Sequence, residues 1–242
     1  AYDVVTGTAI ACGGYSMALL VYVLNRGELH PLVRPALMAG MLGYTLAGLS
    51  IMIDIGRYWQ AYNLFTPWYG NVNSIMFEVA FCIALYTGVM WIEFAPAILQ
   101  GWRSTLSPLV DKYRKRLPSF IQQFDRKLDP EAWRRKLGKW MFVFIALGVL
   151  LPTMHQSSLG TLMVISGKKL SPLWQTGFLP LLFLISAITM GYAIVVFESI
   201  FSGLAFKRPL ETPMLAKLAK IIAGLIGVYT NSTIASNTLE LR

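Results

Sequence analysis

Val72-Asn-Ser-Ile-Met-Phe-Glu-Val-Ala-Phe-Cys-Ile-Ala-Leu-Tyr-Thr-Gly-Val-Met-Trp-Ile-Glu-Phe-Ala95 is an apolar run carrying one acid toward each end, Glu78 and Glu93. About 20 consecutive apolar residues, at roughly 1.5 Å of helix per residue, cross a hydrocarbon core. The run therefore reads as a membrane span. Similar stretches lie at 4–24, 33–54, 140–160, 177–201 and 215–235, the last ending in the polar Tyr229-Thr-Asn-Ser-Thr. Hydrophobic residues make up 55% of the 242 and charged residues only 14%, where soluble domains carry about 25% charge. The predicted fold class is an all-α integral membrane protein with about six transmembrane helices.

The loop charges predict an orientation, because cytoplasmic connections concentrate Lys and Arg. Arg26 and Arg34 follow the first span, eleven basic residues from Arg103 to Lys139 follow the third, and Lys207, Arg208, Lys217 and Lys220 follow the fifth. The alternate loops hold only Arg57, Lys168 and Lys169. This asymmetry places the N-terminus outside and makes 96–139 a basic cytoplasmic loop. The net charge of +9 then reads as a topology signal and a contact with lipid headgroups of the bilayer; no basic patch interleaved with aromatics suggests a nucleic acid. Within the loop, 109–117 and 119–128 have amphipathic patterns suited to the headgroup layer or to a solvated connector, and Asp129-Pro130-Glu131 opens a helix. No cleavable leader pattern precedes the first span, so the sequence reads as a piece of a longer protein.

Ionisable groups at a helix centre in a bilayer cost about 2.5 to 3.5 kcal/mol on insertion scales, so each is read first as functional. Glu78, about 10 Å into the third span, is the strongest such signal. His155, in Leu151-Pro-Thr-Met-His-Gln-Ser-Ser, is placed about one turn from the outer end of the fourth span and suits hydrogen bonding to a carbonyl ligand. Asp54 and Arg57, three apart at the outer end of the second span, can pair on one helix face; Asp3 sits at the outer end of the first. Tyr44, about 15 Å deeper than Asp54, either relays a proton or packs beside Gly43 and Gly48. Glu93 and Glu198, near the inner ends of spans three and five, are candidate proton ports or interfacial acids. Cys12 and Cys82 read as small packing residues.

A membrane haem b held by two histidines is not expected: the chain has only His30 and His155, on opposite sides. One histidine with scattered carboxylates is not a metal ligand set either, so no haem or metal is expected here.

Several segments carry a specific resemblance: Ala11-Cys-Gly-Gly-Tyr, Tyr22-Val-Leu-Asn-Arg-Gly-Glu-Leu-His-Pro-Leu-Val-Arg-Pro-Ala, Gly48-Leu-Ser-Ile-Met-Ile-Asp-Ile-Gly-Arg-Tyr-Trp, Asn71-Val-Asn-Ser-Ile-Met-Phe-Glu, the His155 motif above and Ser171-Pro-Leu-Trp-Gln. Over residues 1 to about 205 the chain resembles the NrfD-like family, typified by the polysulfide reductase membrane subunit, in the branch that serves hydrogenase-2-type nickel–iron hydrogenases. The resemblance implies a quinone-reactive subunit built of two four-helix bundles, with the quinone pocket in the first, toward the outer face. Residues 1–160 would then form the first bundle and 161–242 the incomplete start of the second. It also implies a periplasmic ferredoxin-like iron–sulfur subunit docked outside, the large and small hydrogenase subunits beyond it, and menaquinone or ubiquinone as substrate. On the matching positions Glu78, His155 and Tyr44 would act on the quinone, Asp3, Asp54 and Arg57 would line the pocket or its proton path, and Glu198 and Glu93 would serve an inner proton route. Two other readings stay open: quinol oxidation in a respiratory reductase, and a proton or ion transporter, although the uninterrupted spans and the glycine-rich first span fit close helix packing better.

Overall fold

The computed structural model describes residues 7–9, 11–54, 56–66, 68, 71, 73–106, 130–169, 176–207 and 211–240. Among them there are helices and turns and no strand. In chain order the α-helices are α1 (Gly13–Ala18, continued as a wider π turn over Leu19–Val23), α2 (Val33–Asp54), α3 (Ile75–Gly101), α4 (Pro130–Ser166), α5 (Leu179–Phe206) and α6 (Thr212–Glu240). Short 3₁₀ segments at Gly27–Leu32, Tyr58–Phe65 and Gly167–Lys169 turn the chain.

Five stretches are long and apolar enough to cross a membrane: Gly27–Ile53, Ile75–Ser104, Arg135–Ser166, Leu179–Phe206 and Thr212–Ala235. The expected first span appears as a shorter apolar helix, Gly7–Val23. The doubtful last stretch is a continuous helix despite its polar end: the Thr230 and Thr233 hydroxyls and the Ser232 hydroxyl fold back onto carbonyls three or four residues earlier, which satisfies them without leaving the helix.

Helix boundaries depart from the sequence reading at the basic end. Residues 96–106 and 130–139, expected as loop, are helical, because α3 runs to Gly101 with a π turn over Trp102–Leu106 and α4 starts at Pro130. The Asp129-Pro130 start was legible, since proline fits the first helical turn, where its missing N–H has no partner to lose. The amphipathic stretches at 109–117 and 119–128, Asp3 and Ser171-Pro-Leu-Trp-Gln lie outside the described residues.

Each of α2, α3, α4 and α5 packs on the next, α1 packs against α2, α4 and α5, and α6 lies outside against α5. Between helices in lipid there is little hydrophobic drive, so close approach over small residues supplies the contact. Gly43 permits it on α2, where a Cβ would stand 2.7 Å from that of Ala11, and Gly160 on α4, where a Cβ would fall 2.5 Å from Pro180 Cα. Gly191 on α5 sits against Ser16 and the Cys12 carbonyl in the same way.

The packing forms two apolar clusters. One gathers Tyr15, Tyr44, Tyr86, Leu151 and Ala187 from α1 to α5. The other, toward the basic end, joins Met17, Leu29, Val33, Tyr192 and Leu218. Lys217 of α6 pairs with Glu28 of the first turn segment beside it. Large apolar side chains such as Phe142, Leu204 and Phe206 point outward on the same helices, a distribution suited to a lipid solvent and costly in water.

Candidate functional site

The polar centre of the bundle is built from α1, α2, α3 and α4. Nδ1 of His155 lies 3.0 Å from the Leu151 carbonyl one turn earlier. That carbonyl can only accept, so Nδ1 carries the proton and Nε2 of the neutral ring is left as an acceptor. The Tyr44 hydroxyl lies 3.1 Å from Nε2 and is oriented to donate to it. Gln156 also reaches Nε2, at 3.3 Å, and donates to Cys12 Sγ at 3.4 Å; Tyr44 Oη is 3.4 Å from the same sulfur. His155 and Tyr44 are fully buried and Gln156 nearly so. Each buried polar group left unsatisfied would cost about 1 to 3 kcal/mol, and here they satisfy one another.

Aromatic rings pack around this cluster. Tyr86 of α3 meets Tyr44 edge to face with centroids 4.7 Å apart, and Tyr44 meets His155 in the same manner at 5.7 Å. The Tyr15 hydroxyl is 2.9 Å from Thr153 Oγ1, bridging α1 to α4 beside the histidine. One turn along α4 from His155, Ser158 donates a 2.9 Å hydrogen bond to Glu78 Oε1 at the start of α3. The half-buried Glu78 carboxylate and the buried Tyr44–His155 pair therefore share one face of α4.

The structure corrects three positional readings. His155 is not one turn from the helix end: α4 continues to Ser166, eleven residues on or roughly 16 Å. Tyr44 is about as far from the end of α2, so the two sit at one depth as direct partners. Asp54 and Arg57 do not share a helix, because α2 ends at Asp54, Gly56 takes a left-handed φ of +70°, and the exposed Arg57 precedes the next 3₁₀ segment. Glu78 is in the first turn of α3, nearer its end than expected.

Glu93 and Glu198 lie apart from this centre. Glu93 is two turns beyond Tyr86 on α3, with buried Val89 and Met90 between, and faces a cavity at the basic end. Glu198 is half-buried on α5, two turns beyond Gly191 toward the same end. Sequence reading missed Cys12, Tyr15, Tyr86, Thr153 and Ser158 as parts of the polar centre. Glu78, Cys82 and Tyr86 follow at intervals of four, one stripe of a helix, and that was the available signal for Tyr86.

A haem b ligand pair does not fit these residues. Both ring nitrogens of His155 are engaged, and His30 lies at the basic end against Tyr22, with ring centroids 6.1 Å apart. Among the described residues no group of three or more His, Cys, Asp or Glu could hold a metal ion.

Comparison with known proteins agrees with the geometry of a membrane bundle. The family described as "Polysulphide reductase, NrfD" matches residues 6–230. The chain is 44% identical over 234 residues to the "Probable Ni/Fe-hydrogenase 2 b-type cytochrome subunit" of Escherichia coli, covering 95% of this chain and 53% of that protein. It is 32% identical to the "Menaquinone reductase, integral membrane subunit" of Nitratidesulfovibrio vulgaris, over 63% of this chain and 31% of that protein. Similarity to a selenate reductase subunit of Mesobacillus selenatarsenatis is 24% identity, over 90% and 51% respectively. The chain thus spans about half the length, or less, of these relatives. No solved structure matches.

Proposed function

The chain belongs to the polysulphide reductase NrfD family, and from that premise we propose that it is the quinone-reactive membrane portion of a nickel–iron hydrogenase complex. In this reading it exchanges electrons between an external iron–sulfur subunit and the menaquinone or ubiquinone pool while moving protons. The observation that carries the proposal is the Tyr44–His155 hydrogen bond, 3.1 Å long and sealed in an apolar bundle one turn from the Glu78–Ser158 pair. Supporting it, the relatives bear the names of a hydrogenase subunit and a menaquinone reductase subunit.

Reduction of a quinone takes two electrons and two protons, one to each oxygen. The electrons come from the partner's cluster. Glu78, reachable from the outer part of the bundle and oriented by Ser158, supplies one proton in its carboxylic acid form. The Tyr44 hydroxyl serves the second oxygen as donor. Nε2 of neutral His155, which accepts from it at rest, takes up a proton from the proton route to form the imidazolium and passes that proton to the tyrosinate. The Leu151 carbonyl keeps His155 in the tautomer this exchange needs. Asp3, Asp54 and Arg57 belong to the approach from the outer side, and Glu198 to an inner proton route. The segment holds no haem in this reading, whatever the name of its relative, because its histidines offer no ligand pair.

The excess of Lys and Arg in alternate loops supports a cytoplasmic basic end, with the Glu78 end toward the periplasm. A second reading, quinol oxidation feeding a reductase, rests on the similarity to a selenate reductase subunit and uses the same groups in reverse. Photolabelling of native membranes with an azido-quinone tests the site. Label competed by menaquinone is expected on peptides containing Tyr44, Glu78 or His155; competed label confined to the basic end, or no competed label, rejects it.

A further inference from the structure

At the basic end, a cavity of about 440 Å³ opens between the starts of α2 and α4 and the end of α3. Its walls carry two cations, Arg34 and Arg103, and two carboxylates, Glu93 and Glu131. Phe94, Leu137 and Met141 form an apolar side that continues along the helices. α3 runs eight residues past Glu93, roughly 12 Å, and α4 begins eleven residues before Met141, so both helices project beyond Arg34 and flank the opening. Charged walls beside an apolar side suit the boundary between hydrocarbon and headgroup layer.

Glu93 is the unusual member. It is partly buried, and among the described residues it has no hydrogen bond or ion pair; in particular it makes no ion pair with Arg34, which faces the same cavity. A carboxylate withdrawn from water without a partner is costly. A cation in the cavity would relieve it. An anionic ligand alone would set another negative group beside Glu93, and a cation alone would set another positive group beside Arg34. A ligand carrying both signs matches the two.

We propose that this cavity is a binding site for a zwitterionic phospholipid with a primary amine, its phosphate held by Arg34 and its ammonium by Glu93. Guanidinium and phosphate make strong charge-assisted hydrogen bonds. The ammonium has three N–H donors for the carboxylate, which a quaternary choline lacks. The first acyl carbons lie along the apolar side, and Arg103 and Glu131 add one charge of each sign to the same walls. Basic pockets between transmembrane helices at this depth are suited to lipid headgroups; the added carboxylates change which headgroup is selected.

The test is lipid retention by the protein isolated from native membranes in mild detergent with its own partners, with phospholipids quantified by mass spectrometry. Phosphatidylethanolamine is expected to be enriched over its share of the membrane. Glu93→Gln is expected to lower that retention about tenfold, the worth of one charge-assisted hydrogen bond, without lowering retained phosphatidylglycerol. Lys220→Gln, which does not line the cavity, should retain lipid as wild type does. No enrichment, enrichment of phosphatidylglycerol instead, or unchanged retention in Glu93→Gln overturns the proposal. Should Glu93→Gln fail to assemble, delipidated wild-type protein settles it. A higher Tm in vesicles of phosphatidylethanolamine with phosphatidylglycerol than in phosphatidylcholine with phosphatidylglycerol supports the site, and equal Tm values reject it.

Discussion

Tyr44 and His155 stand 111 positions apart in the chain and 3.1 Å apart in the fold, the hydroxyl of α2 directed at Nε2 of an α4 ring whose other nitrogen is tied to the Leu151 carbonyl. The pair is buried completely, and it sets the first prediction. Tyr44→Phe keeps the ring and its edge contacts with Tyr86, and Gln156 still donates to Nε2, so the loss of stability should be only about 1 kcal/mol. Hydrogen-dependent quinone reduction in membranes should nevertheless fall about 10²-fold, while reduction of a soluble dye that accepts upstream is unchanged. Normal quinone turnover in Tyr44→Phe would show that the pair merely holds the helices together.

Glu78 and Ser158 separate a proton from a hydrogen bond. Glu78→Gln retains an oxygen that accepts from Ser158 and removes only the titratable group, so assembly should be intact and quinone turnover should drop by at least about tenfold. Ser158→Ala leaves the acid and removes its orienting donor, and its effect should be smaller. Equal loss in the two variants would mean that geometry, not the proton, is what the site needs from Glu78.

The fold was legible because its signal is redundant: five of the six apolar runs became helices of membrane-spanning length, and the sixth a shorter one. What failed was depth. His155 was placed from the assumed end of its span, but α4 continues through Leu162 and Val164 to Ser166, since an apolar helix has no reason to stop where the sequence first turns polar at Gln156-Ser-Ser. Those polar groups are absorbed inward, Gln156 by Cys12 and His155, Ser158 by Glu78. Tyr15 was illegible for another reason: a tyrosine in an apolar run looks the same whether it packs or donates, and only the neighbouring helix decides.

Helix contact should be most sensitive at Gly160. An added methyl there meets Pro180 Cα, Pro180 N and the Leu179 carbonyl within 2.8 Å, backbone that cannot rotate away. Gly160→Ala should destabilise by about 1 to 3 kcal/mol, read as a lower Tm of the purified protein or a lower level in membranes. Gly148 on the same helix has nothing within 4 Å of a Cβ, so Gly148→Ala is the control and should be neutral or slightly stabilising. Equal behaviour of the two would contradict the close α4–α5 crossing.

Haem content can be read spectroscopically. With His155 engaged at both nitrogens and His30 at the other end, the purified protein should show no reduced-minus-oxidised b-type spectrum attributable to this segment. A b-type signal that disappears in His155→Ala would require that ring to turn out of its hydrogen bonds and would overturn the assignment.

The last prediction concerns where protons enter. Glu198 is half-buried on α5 near the basic end, and two turns along that helix Gly191 packs against Cys12 and Ser16 of α1. Cys12 in turn contacts Tyr44 and Gln156, so the α5–α1 contact joins the helix that carries Glu198 to the polar centre. If cytoplasmic protons reach the quinone along it, Glu198→Gln should impair turnover coupled to the proton-motive force more than electron transfer to the upstream dye. The comparison isolates the membrane step, because both reactions share the electron carriers up to the point at which the dye accepts. Proton uptake in reconstituted vesicles, measured from each side, supplies the direction. Unchanged quinone reduction together with unchanged proton translocation removes Glu198 from the path and leaves protonation from the Glu78 side as the account that stands.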